Sequence, residues 1–380
     1  MRVAIIGGGY AGVDVARRLE RSLPSDAELV VVDLSGTHVV RHLLHRAIRR
    51  PEVAEELQFP LNRLLDRATI REERVVDLDP ENGTAIFADG GTLEYDVGVV
   101  SIGSDPAFYG LDGVAEHSVT LHRSGDARTI RSAFLETLTD DGRVVIGGGG
   151  LTGIQVAGEL AALAADRDAA DSVEVRLLER ADAVPPGYDD RLQGAVGDAL
   201  AAAGVAVETG VTITGADADR ISVADGAAIE YDCFVWTGGI AGSSAFGGER
   251  PAVRATLRLA DRTFALGDAV RVIDADGQRV PATAQAALGQ ASIAANNVST
   301  LLDYRHSGGN RFEPRLDRYR YDESGWTISV GEDAIAKVGP KILTGAAAIG
   351  AKSIVGAEYL SRIGATREAV EHVGDAIGKL

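Results

Sequence analysis

The chain has 380 residues, enough for two or three domains with complete cores, and its 45% hydrophobic content and 46 glycines suit a soluble α/β protein. A net charge of −18 argues against a nucleic-acid ligand, because a polyanion gives such a surface no counterion-release gain. The single cysteine, Cys233, excludes an intramolecular disulfide, a redox-active dithiol and a cysteine zinc site.

The first stretch, RVAIIGGGYAGV at residues 2–13, runs an apolar strand into Gly7, Gly9 and Gly12. That G-x-G-x-x-G spacing lets a parallel strand turn tightly into a helix and lay its backbone against a pyrophosphate. A helix is predicted over residues 14–22 and a strand over Glu28–Asp33. Asp33 stands 21 residues after Gly12, where an acid can accept hydrogen bonds from the ribose hydroxyls of an adenosine. His38, His42 and His45 follow at spacings of four and three, which would place them on one face of a helix. With no carboxylate or cysteine interleaved, no metal is expected there; the histidines are read as packing over, or bonding to, something bound nearby.

Residues 68–100 read as short strands with hairpin turns at Asn82-Gly83 and Asp89-Gly90-Gly91, returning to a buried strand that closes on Gly103. Residues 105–120 are loop-like, and a helix is predicted over residues 124–139. Then RVVIGGGGLTGI, residues 143–154, repeats the opening design with Gly148, Gly150 and Gly153. Its helix is predicted over residues 152–165, and the next strand ends in Glu179, which would take ribose hydroxyls and repel a phosphate, favouring NADH over NADPH. Arg180 beside it tempers that preference. A helix over residues 190–203 and the strand VAVET precede YDCFVWTGG, where Cys233 is a core residue.

RTFALGDAV at residues 262–270 is a strand ending in Gly267-Asp268, and a helix begins near Thr283 in VPATAQAALGQA. Beyond residue 312 a further unit of strands, including GWTISV, gives way to helices, with Val370, Val373, Ile377 and Leu380 on one face of a short amphipathic helix. Only four lysines occur, Lys337, Lys341, Lys352 and Lys379, all in the last 44 residues, where the net charge is +2 against −20 elsewhere. The many carboxylates with few lysines suit a halophilic surface, and the charge asymmetry suits an anionic partner such as a lipid headgroup. No signal peptide or apolar run of about 18 residues is visible, so a cytoplasmic location is expected, with any membrane contact peripheral.

Two glycine motifs with a strand-terminal Gly-Asp downstream of both make sense together. The first would hold FAD by its adenosine and pyrophosphate, Asp268 would reach the ribityl chain, and the helix opening at Ala284 and Gln285 would aim its positive end at the flavin pyrimidine edge. The second would present nicotinamide for hydride transfer, a step that depends mainly on positioning. The chain here resembles the two-dinucleotide flavoproteins and, within them, the type II NADH dehydrogenases, through the glycine motifs, VVSIGSDP with GLDGVAEHSVTL, VWTGGI, TFALGDAV and VPATAQAALGQA.

The resemblance implies an α/β fold of two Rossmann-like domains, one inserted in the other, and a smaller α+β unit. The FAD domain would span residues 1–112 and 246–310, the NADH domain 113–245, and the C-terminal unit 311–380, with a possible membrane or dimer contact. It further implies FAD contacts at Gly7, Gly9, Tyr10, Ala11, Gly12, Asp33, Val75, Gly103, Gly267, Asp268, Ala284 and Gln285. NADH contacts would be Gly148, Gly150, Leu151, Thr152, Gly153, Glu179, Gly238 and Gly239. The family's A-Q-x-A-x-Q helix borders the quinone; Ala284, Gln285 and Ala287 match it, whereas Gly289 replaces the second glutamine and Gln290 stands beside it. Ile102 replaces a common threonine, and Gln155 a common glutamate near the nicotinamide. Gln285, Gln290 and Gln155 are the expected catalytic positions and quinone the expected acceptor, against two alternatives: a soluble reductase of a protein or small-molecule acceptor, and a slow redox-sensing flavoprotein. Disulfide reductases and sulfide:quinone oxidoreductases need more than one cysteine, which this chain lacks.

Overall fold

The computed structural model describes residues 1–138, 141–307, 312–323 and 325–368. The predicted amphipathic helix beyond residue 368, carrying Val370 to Leu380, lies outside the described residues.

The strand Arg2–Ile6 is apolar on both faces and buried from Val3 to Ile6, as a central strand of a parallel sheet must be. It pairs in parallel with Glu28–Asp33 on one side and with Val97–Val100 on the other. The six-stranded sheet runs Arg258–Ala260, Thr263–Ala265, Val97–Val100, Arg2–Ile6, Glu28–Asp33, Thr69–Glu72, antiparallel only in its first pair. Strand order reverses at Arg2–Ile6, so a crevice opens at its carboxyl end.

A second, wholly parallel sheet runs Val119–Thr120, Cys233–Trp236, Gly142–Gly147, Val173–Leu178, Val205–Glu208. Its reversal falls at Gly142–Gly147. Each sheet carries a three-stranded antiparallel excursion, Val75–Asp79 with Thr84–Phe87 and Thr92–Glu94 in the first, Ile213–Ala216 with Arg220–Val223 and Ile229–Glu230 in the second. The sequence's repeated glycine motif is therefore one sign of a repeated fold.

The helix Ala284–His306 packs along the helix Tyr10–Ser22 through a file of small buried residues, among them Ala287, Ala291, Ala294 and Ala295. The C-terminal unit is a meander of Trp326–Val330, Asp333–Val338 and Lys341–Thr344 followed by the helix Gly345–Ile363. It touches both larger sheets' layers. Its first turn lies so close to the helix Leu151–Ala165 that a Cβ at Gly158 would stand 2.5 Å from the Gly331 nitrogen. At its other end Tyr359, Leu360 and Ile363 join the core of the first domain.

No single helix runs through the three histidines. Thr37–Val39 is a strand paired with Gln58–Pro60, Arg41–Leu43 a 3₁₀ turn, and Arg46–Arg49 a separate short helix. Backbone pairing of the first three residues wins over helix continuation; His38 and His42 still converge on the Tyr10 and Tyr359 rings, whereas His45 meets Gln155.

Candidate functional site

Gly7 turns the chain at the carboxyl end of Arg2–Ile6 with φ +109°, a conformation that L side chains rarely adopt. A Cβ at Gly12 would stand 1.8 Å from the Gly7 carbonyl oxygen, so only glycine lets the helix begin this close to the strand. Gly9 faces open space, with nothing within 4 Å of a Cβ position. The first turn, with Tyr10 and Ala11, thus offers its N–H groups and positive dipole end to the crevice. Asp33 Oδ2 accepts from the Gly8 nitrogen at 2.8 Å and Oδ1 from the Ser35 nitrogen at 2.9 Å and hydroxyl at 3.1 Å, so Oδ2 keeps a lone pair for a ribose hydroxyl. The Ser101 hydroxyl donates to the Gly7 carbonyl at 3.1 Å and closes the far side.

The second motif repeats these contacts. Gly148 has φ +109°, a Cβ at Gly153 would lie 1.9 Å from the Gly148 carbonyl oxygen, and Gly150 is open. Leu151 and Thr152 begin the helix. Glu179 accepts from Gly149 at 2.7 Å and Ala181 at 2.8 Å, and the Thr237 hydroxyl donates to the Gly148 carbonyl at 2.8 Å. Gly238 and Gly239 follow Thr237. Above them lies Tyr109, unforeseen from the sequence: its φ is +54°, its ring is 68% exposed, and its hydroxyl donates to the Gly238 carbonyl at 3.1 Å. A Cβ at Gly239 would lie 2.2 Å from that hydroxyl.

The strand Thr263–Ala265 leads into the 3₁₀ turn Gly267–Ala269, where Gly267 has φ +67°. Burial raises the Asp268 pKa, and the Arg41 and Arg250 charges oppose that rise. Arg250 also pins the turn, donating to the carbonyls of Asp268 at 2.7 Å and Val270 at 2.9 Å. Thr283 caps the next helix by accepting from the Ala286 nitrogen at 3.2 Å, leaving the first turn with Ala284 and Gln285 at the crevice end.

The three glutamines part company. Gln290 is buried, and its Oε1 accepts from the Gly267 nitrogen at 2.7 Å, so it positions the Gly-Asp turn instead of meeting an acceptor as the sequence suggested. Gln285 is half-buried and its amide donates to the Asp322 carbonyl at 3.3 Å, joining the helix start to the C-terminal unit. Gln155 sits half-buried with its amide 3.4 Å from His45 Nε2. Val75 opens the first domain's antiparallel excursion. Gly103, φ +74°, borders the crevice, and Arg41 Nη1 lies 3.7 Å from its Cβ position.

Among the described residues no group of three or more His, Cys, Asp or Glu could hold a metal. His38 Nδ1 lies 3.0 Å from the Gly8 carbonyl and must donate to it; its Nε2 therefore accepts from the Tyr359 hydroxyl at 2.6 Å. Burial holds that imidazole neutral, with its pKa pushed down to about 4. The Tyr10 hydroxyl accepts from the His42 nitrogen at 3.1 Å and donates to His42 Nδ1 at 2.7 Å. Arg362 pairs with Asp14 at 2.7 Å on the same flank. The C-terminal helix thus forms a wall beside the first glycine cradle. Cys233 is 3% exposed and burial pushes its thiol up to about 12, which leaves it inert as a nucleophile.

Both cradles suit a dinucleotide. Gly9 and Gly150 leave room where a pyrophosphate must approach backbone, and Asp33 and Glu179 keep unused lone pairs. The buried Ser104 hydroxyl beside Gly103 has no hydrogen-bond partner among the described residues.

Residues 1–291 match the family model described as pyridine nucleotide-disulphide oxidoreductase. A protein named type II NADH:quinone oxidoreductase from Haemophilus influenzae is 26% identical, the match covering 86% of this chain and 84% of that one. One of the same name from Staphylococcus saprophyticus is 24% identical over 96% of each. Among solved structures, NDH2 of Plasmodium falciparum in complex with NADH has a TM-score of 0.79 at 12% identity, covering 98% of this chain and 97% of that one. The sulfide:quinone oxidoreductase of Aquifex aeolicus has 0.78 at 18% identity, covering 97% and 92%. The family model spans both glycine cradles and the Gly267-Asp268 turn, and the chain belongs to the pyridine nucleotide-disulphide oxidoreductase family.

Proposed function

We propose that the chain is an FAD-dependent NADH:quinone oxidoreductase of the type II NADH dehydrogenase kind, taking hydride from NADH and passing electrons to a quinone without pumping protons. The observation that carries this reading is the pairing of two acid-braced glycine cradles with one Gly267-Asp268 turn and one capped helix start at Ala284. When bound, FAD supplies the two-electron carrier between NADH and quinone. The first cradle orients its pyrophosphate, Asp33 receives the adenosine ribose, and Asp268 receives the ribityl hydroxyls. The positive end of Ala284–His306 favours negative charge at the flavin pyrimidine edge. Glu179 receives the NADH ribose, with Gly238 and Gly239 leaving backbone space for the nicotinamide half.

The names of the relatives support quinone as acceptor. The lone, buried Cys233 leaves no dithiol for disulfide reduction. Among the described residues no helix is long and apolar enough to cross a membrane, so a membrane-borne quinone would be met from the surface. The helix Gly345–Ile363 exposes Ile354 and Val355, which suits such a contact. We place this contact on the cytoplasmic face; a homodimer is a further reading of the same surface.

Purified protein in concentrated salt should be yellow with a flavin spectrum and should oxidise NADH rapidly with a short-chain quinone. Turnover with ferricyanide but no acceleration by any quinone would overturn the quinone assignment in favour of a soluble reductase. Slow turnover with every acceptor would favour the redox-sensing alternative.

A further inference from the structure

Arg41 is the residue of the first cradle that neither the glycine spacing nor the resemblance to known flavoproteins singles out. Its Nη1 lies 3.7 Å from the Cβ position of Gly103, and its Nη2 is 2.5 Å from His122 Nδ1 and 3.1 Å from Nε2. The imidazole it faces is neutral, since burial and then the Arg41 charge push the His122 pKa down to about 3. No carboxylate oxygen comes within 4.0 Å of the Arg41 guanidinium among the described residues. Its charge nevertheless acts on Asp268 across the crevice and on the Tyr10 hydroxyl. A half-buried guanidinium pressed against a neutral ring, with no carboxylate to pair with, is complete only when an anion arrives.

The position selects the anion. Asp33 marks the adenosine end of the crevice, and Asp268 with Ala284 marks the ribityl and flavin end. Arg41 stands at Gly103, where its charge acts on both Asp268 and Tyr10, the latter in the first turn of the glycine cradle. On the reading that the first cradle holds FAD, we propose that Arg41 is a positioning residue that pairs with the FAD pyrophosphate and offsets the Asp268 carboxylate beside it. The backbone N–H groups of the cradle supply partial positive charge only, whereas Arg41 supplies a full one in a fork that fits two phosphate oxygens. It also keeps the Asp268 carboxylate from repelling the pyrophosphate, so Asp268 can stay ionised and accept from the ribityl hydroxyls.

The test is FAD binding, read by quenching of flavin fluorescence as FAD is titrated into flavin-stripped protein, without reference to turnover. Arg41→Gln should weaken FAD about tenfold to a hundredfold, as expected for losing a charge-assisted pair, and Arg41→Lys should recover part of that. Riboflavin, which lacks both phosphates but keeps the ribityl chain, should be weakened far less by R41Q than FAD is. Affinity for FAD should fall more steeply with salt in the wild type than in R41Q. An R41Q variant that binds FAD within twofold of the wild type, or that weakens riboflavin as much as FAD, overturns the proposal. If R41Q does not fold, R41K decides: unchanged FAD affinity together with unchanged salt dependence overturns it. Failure of the wild-type chain to bind FAD would overturn the functional reading itself, a separate result.

Discussion

The two glycine cradles are alike in their backbone and unlike in their surroundings. Both turn at a glycine of φ +109°, both are braced by an acid on the nitrogen of the next residue, Gly8 or Gly149, and both are closed by a hydroxyl on the turning glycine's carbonyl. Around the first, however, the structure gathers Arg41, the Gly267–Ala269 turn, the helix Ala284–His306 and the tyrosine and histidine wall of the C-terminal helix. Around the second stand Tyr109, whose ring is mostly in solvent, and Val184, whose Cγ2 would lie 2.8 Å from a Cβ at Gly149. One backbone design thus sits in two settings, and the proposed function reads the walled cradle as the one that retains FAD and the more open one as the one that exchanges NADH.

The sharpest way to break this comparison is to fill each cradle in turn. Gly12→Val would place a side chain against the Gly7 carbonyl, and a cost of about 3 kcal/mol is expected from overpacking alone. The purified variant should lose its flavin and melt early. Gly153→Val meets the equivalent carbonyl but should keep its flavin and lose NADH oxidation. Absorbance at the flavin band decides it: flavin lost equally from both variants would erase the assignment of roles.

Acid probes the wall. His38, with its pKa near 4, His122, near 3, and the buried His45 all flank the first domain and stay neutral when folded. Once unfolded they take up protons near their usual 6.5. As pH falls from 6.5 toward 4 the unfolded chain binds protons that the folded one cannot, so stability must fall, by ~1.4 kcal/mol per unit of separation for each group. Urea midpoints measured from pH 7 to 4.5 should drop, and His38→Gln should flatten the slope. A level profile would mean that the wall is wetter than it looks.

The smallest effect sharpens the comparison from the open side. Glu179→Ala should raise the KM for NADH about tenfold by removing a charged acceptor from the ribose, with flavin content unchanged. An unchanged KM would remove Glu179 from the NADH site.

Much of this molecule is legible in its residues. Strand 28–33 has the same bounds in the sequence reading and in the structure, and the helices at 151–165 and 190–202 differ from it by one residue at an end. Such elements are read well because local periodicity and glycine chemistry specify them. The backbone around the three histidines was not legible, because spacing alone cannot tell that residues 37–39 will pair with 58–60. Gln290 was placed at the acceptor because its neighbours belong to a motif. Its side chain instead turns inward to the Gly267 nitrogen, a donor that would otherwise be buried unpaired.

The sequence by itself determined the repeated α/β design, the two dinucleotide turns with their acids, and the absence of dithiol chemistry, since each depends on residues close together in the chain or on composition. Tertiary structure alone decided which cradle is walled and what walls it. His38 and Tyr359 are 321 residues apart, and Arg362 and Asp14 are 348 apart, yet each pair is in contact beside the first glycine motif. Contacts over such separations follow from how sheets and helices pack, and no local pattern carries that information.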